Sequence, residues 1–265
     1  SVGNHLVPLF VDCGGLAMAE KVFYKLIVRN EFSWTAMIQG YVGCGEYQHA
    51  LDLFDMMQKE TSIFPTRHTF LAVLKACARI KWLGKGREIH KVILNDTGLQ
   101  FDPFVGNTLV DMYAKCGSLD EAREVFHNLP VRDVVSWNAL ITGYAEHRHY
   151  NEALEIFQEM QVQRVSPDAF TFLSILGSCG SNQYAEKGLK LHVEIEKQGL
   201  LQGNHFLESA LVDMYGKCGL LASAECVFGK IRVKGLVAWT SMISGYTEHS
   251  YFEEALECLE KMKSQ

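Results

Sequence analysis

Eight cysteines, a His192-Val-Glu194 triplet and the histidines His147 and His149 are the residues of this chain whose types could ligate a metal, form disulfides or move a proton. Their spacing argues against each. A zinc deaminase needs a Pro-Cys-x-x-Cys half beside its His-x-Glu half, and no two cysteines here form a Cys-x-x-Cys pair. The segment equivalent to the triplet reads His90-Lys-Val92. Cys13, Cys116 and Cys218 share one repeating position, and Cys77 and Cys179 another, the pattern of small buried helix residues in a reducing compartment. There is no Gly-x-Ser-x-Gly elbow and no phosphate-cradling glycine loop, and Glu152, Glu155 and Glu159 fit a solvated helix face. His147 and His149 flank Arg148 where a turn is expected. The chain therefore reads as a non-enzyme with no cofactor and no metal.

The elements that carry these residues repeat. Asn107-Thr-Leu-Val-Asp-Met-Tyr-Ala-Lys-Cys-Gly117 returns 102 residues later as Ser209-Ala-Leu-Val-Asp-Met-Tyr-Gly-Lys-Cys-Gly219, and an eroded copy, Asn4 to Gly14, lies 103 residues upstream. Trp34, Trp137 and Trp239 keep nearly the same interval, as do Thr69-Phe-Leu and Thr171-Phe-Leu. Turn residues such as Leu129-Pro130 to Asp133 and Pro167-Asp168 divide each period into repeats of 31, 35 and 36 residues. The short type covers 1–30, 103–133 and 205–235, the tryptophan type 31–66, 134–168 and 236–265, and the third type 67–102 and 169–204.

Within a repeat the apolar residues recur at helical spacing, for example Trp137, Leu140, Ile141 and Tyr144, then Ala153, Ile156, Phe157 and Met160. Two helices per repeat fit. Gly117 is expected to end the first helix with a left-handed residue, and Ser118 with Glu121 to form a capping box for the second. One such hairpin cannot bury its own apolar stripe, so the fold class is all-α, an α-solenoid superhelix of tandem helix-turn-helix repeats forming a single array over 1–265, its hand left open. The composition, 48% apolar and 21% charged with five prolines, suits such an array, and no apolar run approaches the length of a membrane span. Residue 1 corresponds to about the second position of a repeat and Gln265 precedes the expected Pro-Asp close, so a longer protein is expected.

Val134-Val-Ser-Trp-Asn-Ala-Leu-Ile-Thr-Gly-Tyr144, Asp111-Met-Tyr-Ala-Lys-Cys-Gly-Ser-Leu-Asp-Glu-Ala122 and Val165-Ser-Pro-Asp168 resemble the pentatricopeptide repeats of plants, over essentially the whole chain. The three lengths resemble the subclass with P, L and S repeats, here S for the short, P for the tryptophan and L for the third type. The resemblance implies binding of single-stranded RNA, one base per repeat, by the fifth and last residues of each repeat, with an apolar second residue sandwiching the base.

Carried onto this chain, the base-reading residues are Asn4 with Asn30, Thr35 with Thr66, Asn107 with Asp133, Asn138 with Asp168, Ser209 with Gly235, and Thr240. The L repeats offer Leu71 with Asp102 and Leu173 with Asn204, and leucine cannot pair with a base edge. The sandwiching residues are Phe32, Phe104, Val135, Phe170, Phe206 and Val237, while His68 departs from the pattern. The implied readout runs pyrimidine, purine, unread, uridine, uridine, unread, purine, purine. Thr35 with Thr66 and Ser209 with Gly235 depart from the usual pairs.

Asp133 and Asp168 are also good helix caps whatever the ligand, and the three tryptophans, heading apolar stripes, are assigned to the core. The net charge of −6 runs against nonspecific nucleic-acid binding, unless the carboxylates lie on the second helices and Lys75, Lys85, Lys115, Lys217 and Arg79 line the other side. The resemblance further implies a factor of the mitochondrion or chloroplast, directing cytidine-to-uridine editing catalysed by another domain or protein. Its partners would be organellar single-stranded RNA and small accessory proteins held by the L repeats, with no membrane. The alternative is a helical scaffold for protein–protein interaction.

Overall fold

In the computed structural model, which describes residues 2–60, 63–95, 98–180 and 184–264, the helices follow one another in pairs. They are α1 (Val2–Asp12) with α2 (Leu16–Lys25), α3 (Glu31–Gly43) with α4 (Tyr47–Glu60), α5 (Arg67–Ile80) with α6 (Leu83–Asn95), and α7 (Pro103–Lys115) with α8 (Leu119–Asn128). Then come α9 (Val134–Glu146) with α10 (Tyr150–Val162), α11 (Ala169–Leu176) with α12 (Ala185–Lys197), α13 (His205–Lys217) with α14 (Leu221–Lys230), and α15 (Leu236–Glu248) with α16 (Phe252–Lys263). Packing divides the chain into two compact halves, Ser1–Leu140 and Ile141–Gln265, the division falling within α9. In the first half α1, α3, α5 and α7 pack each on the next, and each carries its second helix beside it. In the second half α11, α13 and α15 do the same.

This layering explains the residue pattern. A first helix has neighbours on several sides and is apolar almost all round: α7 buries Val105, Leu109, Val110, Met112, Tyr113 and Ala114. A second helix buries one stripe, and α8 buries only Ala122 and Phe126. The tryptophans head the first helices of their repeats and are buried, as expected. Each meets a phenylalanine edge-on: Phe23 with Trp34, Phe126 with Trp137 and Phe228 with Trp239 have ring centroids 4.9, 4.7 and 4.8 Å apart. A cation lies over each of those phenylalanines, Arg29, Arg132 and Lys234 in turn.

Gly117 takes φ of 80° after α7, the left-handed stop expected of it. The expected capping box at α8 is not formed. Ser118 makes no side-chain bond to the helix backbone, and its hydroxyl donates to the Glu121 carboxylate. That carboxylate is already gripped by Arg87 of α6, with Nε 3.0 Å from Oε1 and Nη2 2.7 Å from Oε2. The same guanidinium holds the Glu121 carboxyl below the usual carboxylate range.

Close packing sets two positions. In the second half, a Cβ built on Gly245 would lie 2.9 Å from the backbone Cα of Gly216, where α13 meets α15. Gly245→Ala must push two helix backbones apart and is expected to lower stability by about 1–3 kcal/mol, measured by urea denaturation. A smaller loss would mean that the helices shift apart at little cost.

A His–Tyr pair, its tyrosine buried and its histidine half-buried, recurs in each half. The Tyr113 hydroxyl meets His90 Nδ1 at 2.9 Å, and the Tyr215 hydroxyl meets His192 Nδ1 at 2.7 Å. Burial lowers both imidazole pKa values below the ordinary value near 6.5, with Glu121 and Glu124, and Glu196, opposing. The unfolded chain takes up these protons near pH 6.5 and the folded chain only at lower pH, so stability rises with pH through that window and is lost as pH falls below about 6.5. Thermal melts are expected to show Tm falling from pH 7 to pH 5.5, with a shallower fall in His90→Gln and His192→Gln.

The cysteines divide by their surroundings. Cys77, Cys179, Cys218 and Cys258 are buried, whereas Cys13, Cys44 and Cys226 are exposed, so Cys13 departs from the buried position expected of it. The Cys116 thiol points at the carbonyl of Cys77 on α5, and the Cys218 thiol at that of Cys179 in the 3-10 turn that follows α11. Burial pushes the Cys77 and Cys179 thiols up to about 12, so both stay protonated and weakly nucleophilic. Among the described residues no group of three or more His, Cys, Asp or Glu side chains is placed to hold a metal ion, and no helix is long and apolar enough to cross a membrane.

Candidate nucleic-acid interface

From α3 onward, every second-position residue is the second residue of a first helix, and every fifth-position residue is its fifth. Three residues apart on a helix is one face, so the two side chains stand together. The last residue of the preceding repeat is the N-cap of that same helix. Asn30, Thr66, Asp102, Asp133, Asp168 and Asn204 each accept from a backbone N–H of the helix that follows, at 2.8–3.3 Å. Gly235 has no side chain to do so.

Apart from His68 of α5, these second-position residues are apolar, and they are exposed. Phe32 is 63% exposed, Phe104 61%, Val135 56%, Phe170 54%, Phe206 77% and Val237 64%. A scattered exposed apolar residue is ordinary, but within each half one recurs at the same position of several first helices, and covering such a side chain on binding would contribute at most about 1.5–3 kcal/mol. That surface is available to a ligand with flat apolar faces.

The fifth position supplies polarity, and its clearest instance is Asn107. Its Nδ2 donates to both carboxylate oxygens of Asp133, at 3.0 and 3.2 Å, while Asp133 Oδ1 also accepts from Ser136 N at 2.9 Å. A carboxylate only accepts, so Asn107 must turn its amide nitrogen toward Asp133 and its oxygen away. That oxygen is buried and has no hydrogen-bond partner among the described residues. An orphaned acceptor of this kind costs about 1–3 kcal/mol until a donor reaches it. In the neighbouring repeats Asn138 is buried in α9, and Asp168 caps α11 through Thr171 N at 2.8 Å.

The other pairs differ. Thr35, Thr66 and Thr69 join their hydroxyls in a ring, at 2.7 Å for Thr35 to Thr69, 3.0 Å for Thr66 to Thr69 and 3.4 Å for Thr35 to Thr66. Each hydroxyl can donate or accept, so this position has no fixed polarity. Asn4 donates to the Val28 carbonyl at 3.1 Å and accepts from Asn30 N at 3.4 Å, so it meets Asn30 through the backbone while the Asn30 side chain caps α3. Ser209 donates to the His205 carbonyl and Thr240 to those of Leu236 and Val237, bonds within their own helices. Ser209 and Gly235 are brought together differently, as lining of one apolar cavity of about 550 Å³ with Leu173, Phe206 and Val237. Sequence reasoning missed that cavity, whose signal was the side-chain-free Gly235.

The expected basic lining needs one correction. Lys85 lies on a second helix, α6, and pairs with Asp55 at 2.6 Å and Glu88 at 3.0 Å. Lys115 and Lys217 are on first helices but pair with Asp111 and Asp213 one turn away, at 2.8 and 2.7 Å. Lys75 and Arg79 of α5 are exposed.

Comparison with known proteins gives a consistent result. Models of the PPR repeat family match residues 29–79 and 132–181, and of the PPR repeat residues 107–134, 209–236 and 237–265. A chloroplastic pentatricopeptide repeat-containing protein of Arabidopsis thaliana is 34% identical over 264 residues, covering 100% of this chain and 42% of its own length. A mitochondrial one from the same plant is 34% identical over 260 residues, covering 98% and 37%. The chain thus spans about two fifths of these relatives. The crystal structure of the pentatricopeptide repeat protein PPR10 in complex with an 18-nt psaJ RNA element superposes on 99% of this chain and 39% of that one, with a TM-score of 0.83 at 18% identity. The tandem helix-pair fold is therefore shared.

Proposed function

The chain belongs to the pentatricopeptide repeat family, and from that premise we propose that it binds single-stranded RNA in a sequence-dependent manner, one base per repeat. The observation that carries this is Asn107: Asp133, fixed as a helix cap, takes its amide nitrogen and leaves its amide oxygen a buried acceptor with no partner among the described residues, on the helix that carries the exposed Phe104. A uracil has an N–H on its pairing edge to satisfy that oxygen and two flat faces to meet the apolar residues. The same residue types at Asn138 and Asp168 support a second uridine next to the first. The relatives named chloroplastic or mitochondrial support an organellar setting. In this reading the three repeat types are P, L and S, and the array selects a site for cytidine-to-uridine editing whose chemistry another domain or protein supplies.

The test is a mobility-shift comparison of an oligomer carrying two adjacent uridines with one carrying two purines there. Tighter binding of the first is expected. Leu71 and Leu173 at fifth positions favour a second reading, a scaffold that holds small accessory proteins through the L repeats. Equal or absent binding of the two oligomers would leave that one standing.

A further inference from the structure

The L repeat at 67–102 has a leucine, Leu71, at the fifth position, which cannot read a base edge, yet its slot is not bare. Arg67, the first residue of α5, has its guanidinium carbon 5.3 Å from the centroid of the Phe104 ring. Its Nη1 donates to Asp102 Oδ2 at 3.3 Å, while Asp102 Oδ1 caps α7 through Phe104 N and Val105 N at 2.9 and 3.1 Å. The guanidinium is thus held from below by the ring and from one edge by a carboxylate that is itself fixed. Its side chain remains 41% exposed. Arg67 reaches Phe104 from the preceding repeat, the side from which a base sandwiched between the second residues of the two repeats would approach.

The other L repeat has no such arrangement. Ala169 stands where Arg67 does, Asn204 where Asp102 does, and Phe206 is 77% exposed against 61% for Phe104. Position 67 is therefore a property of one repeat, not of the array.

We propose that Arg67 is the nucleotide-contacting side chain of repeat 67–102, a planar cation on which a base of any identity stacks. Every base has a π-face, and a guanidinium stacks on it without consulting its edge, so this repeat adds affinity and no sequence preference. The inference rests on the RNA-binding reading given above.

The experiment is a fluorescence anisotropy titration of Arg67→Ala and Arg67→Lys against oligomers that keep the two uridines and vary the nucleotide on either side of them in turn. Arg67→Ala is expected to weaken binding about three- to tenfold, equally for all four bases at one flank. With an abasic nucleotide at that flank, wild type is expected to weaken by a similar factor and Arg67→Ala to cause no further loss. Arg67→Lys keeps the charge without the plane and is expected to behave like alanine. A loss that persists on the abasic oligomer, or that lysine restores, would assign Arg67 to a phosphate and overturn the stacking role. So would an unchanged affinity in Arg67→Ala. Failure of the wild-type chain to bind the uridine-bearing oligomer removes the underlying reading instead.

Discussion

Asp133→Asn is expected to turn the preference of repeat 103–133 from uridine to cytidine while leaving the fold intact. The aspartate carboxylate accepts and never donates, which is why the Asn107 amide turns its nitrogen to Asp133 and its oxygen away from it. An asparagine at 133 can still accept from Ser136 N through its oxygen, and it gains an N–H that can donate to the Asn107 oxygen. Asn107 then turns its own amide over and presents a donor. Cytosine has an acceptor where uracil has the N3–H, so the mismatch moves from one base to the other. With about 1–3 kcal/mol at stake for a hydrogen-bonding group left unmet, loss on uridine and gain on cytidine together change the ratio of affinities by roughly two orders of magnitude. Asn and Asp are near-equal caps, so Tm should hardly move. Anisotropy titrations with oligomers differing only at that base, beside a thermal melt, check both halves. A ratio that stays in favour of uridine would show that the amide orientation does not set the choice.

Much of this arrangement was legible because it rests on local chemistry. The N-caps Asp133 and Asp168 are short acceptors before an apolar helix, and Gly117 closes α7 in the conformation glycine tolerates best. The tryptophans at the heads of apolar stripes are buried as that position dictates. What escaped the sequence was competition between repeats. Glu121 has the spacing of a capping box with Ser118, but Arg87, 34 residues earlier, takes its carboxylate. Lys85 was placed with the basic lining, yet it falls in the first turn of α6, where Asp55 of α4 reaches it. Ser209 and Thr240 sit inside helices, where hydroxyls bond back to the carbonyl one turn earlier, a local rule that the base-reading pattern alone did not announce. Arg67 carried no signal, because the ring beneath it belongs to the next repeat.

Trp137→Ala is expected to lower stability by about 3–5 kcal/mol, a large part of the 5–15 kcal/mol or so that holds an ordinary domain together. The indole is fully buried, and its edge-on contact with Phe126 joins α8 to α9, so alanine removes both the apolar surface and the partner of that ring. Trp137→Phe should behave differently. The indole Nε1–H is buried with no hydrogen-bond partner among the described residues, a standing cost of about 1–3 kcal/mol. Phenylalanine discards that donor while keeping a ring against Phe126, so the lost volume and the relieved polar group offset one another to within about 1 kcal/mol. In a repeat array each element depends on its neighbours, so the damage from alanine should appear first as faster amide exchange in α8 and α9. Asn138, next in the chain, would lose its fixed position at the same time. Urea titration with hydrogen exchange separates the cases. Equal losses for alanine and phenylalanine would mean that the unpartnered indole nitrogen has no energetic weight.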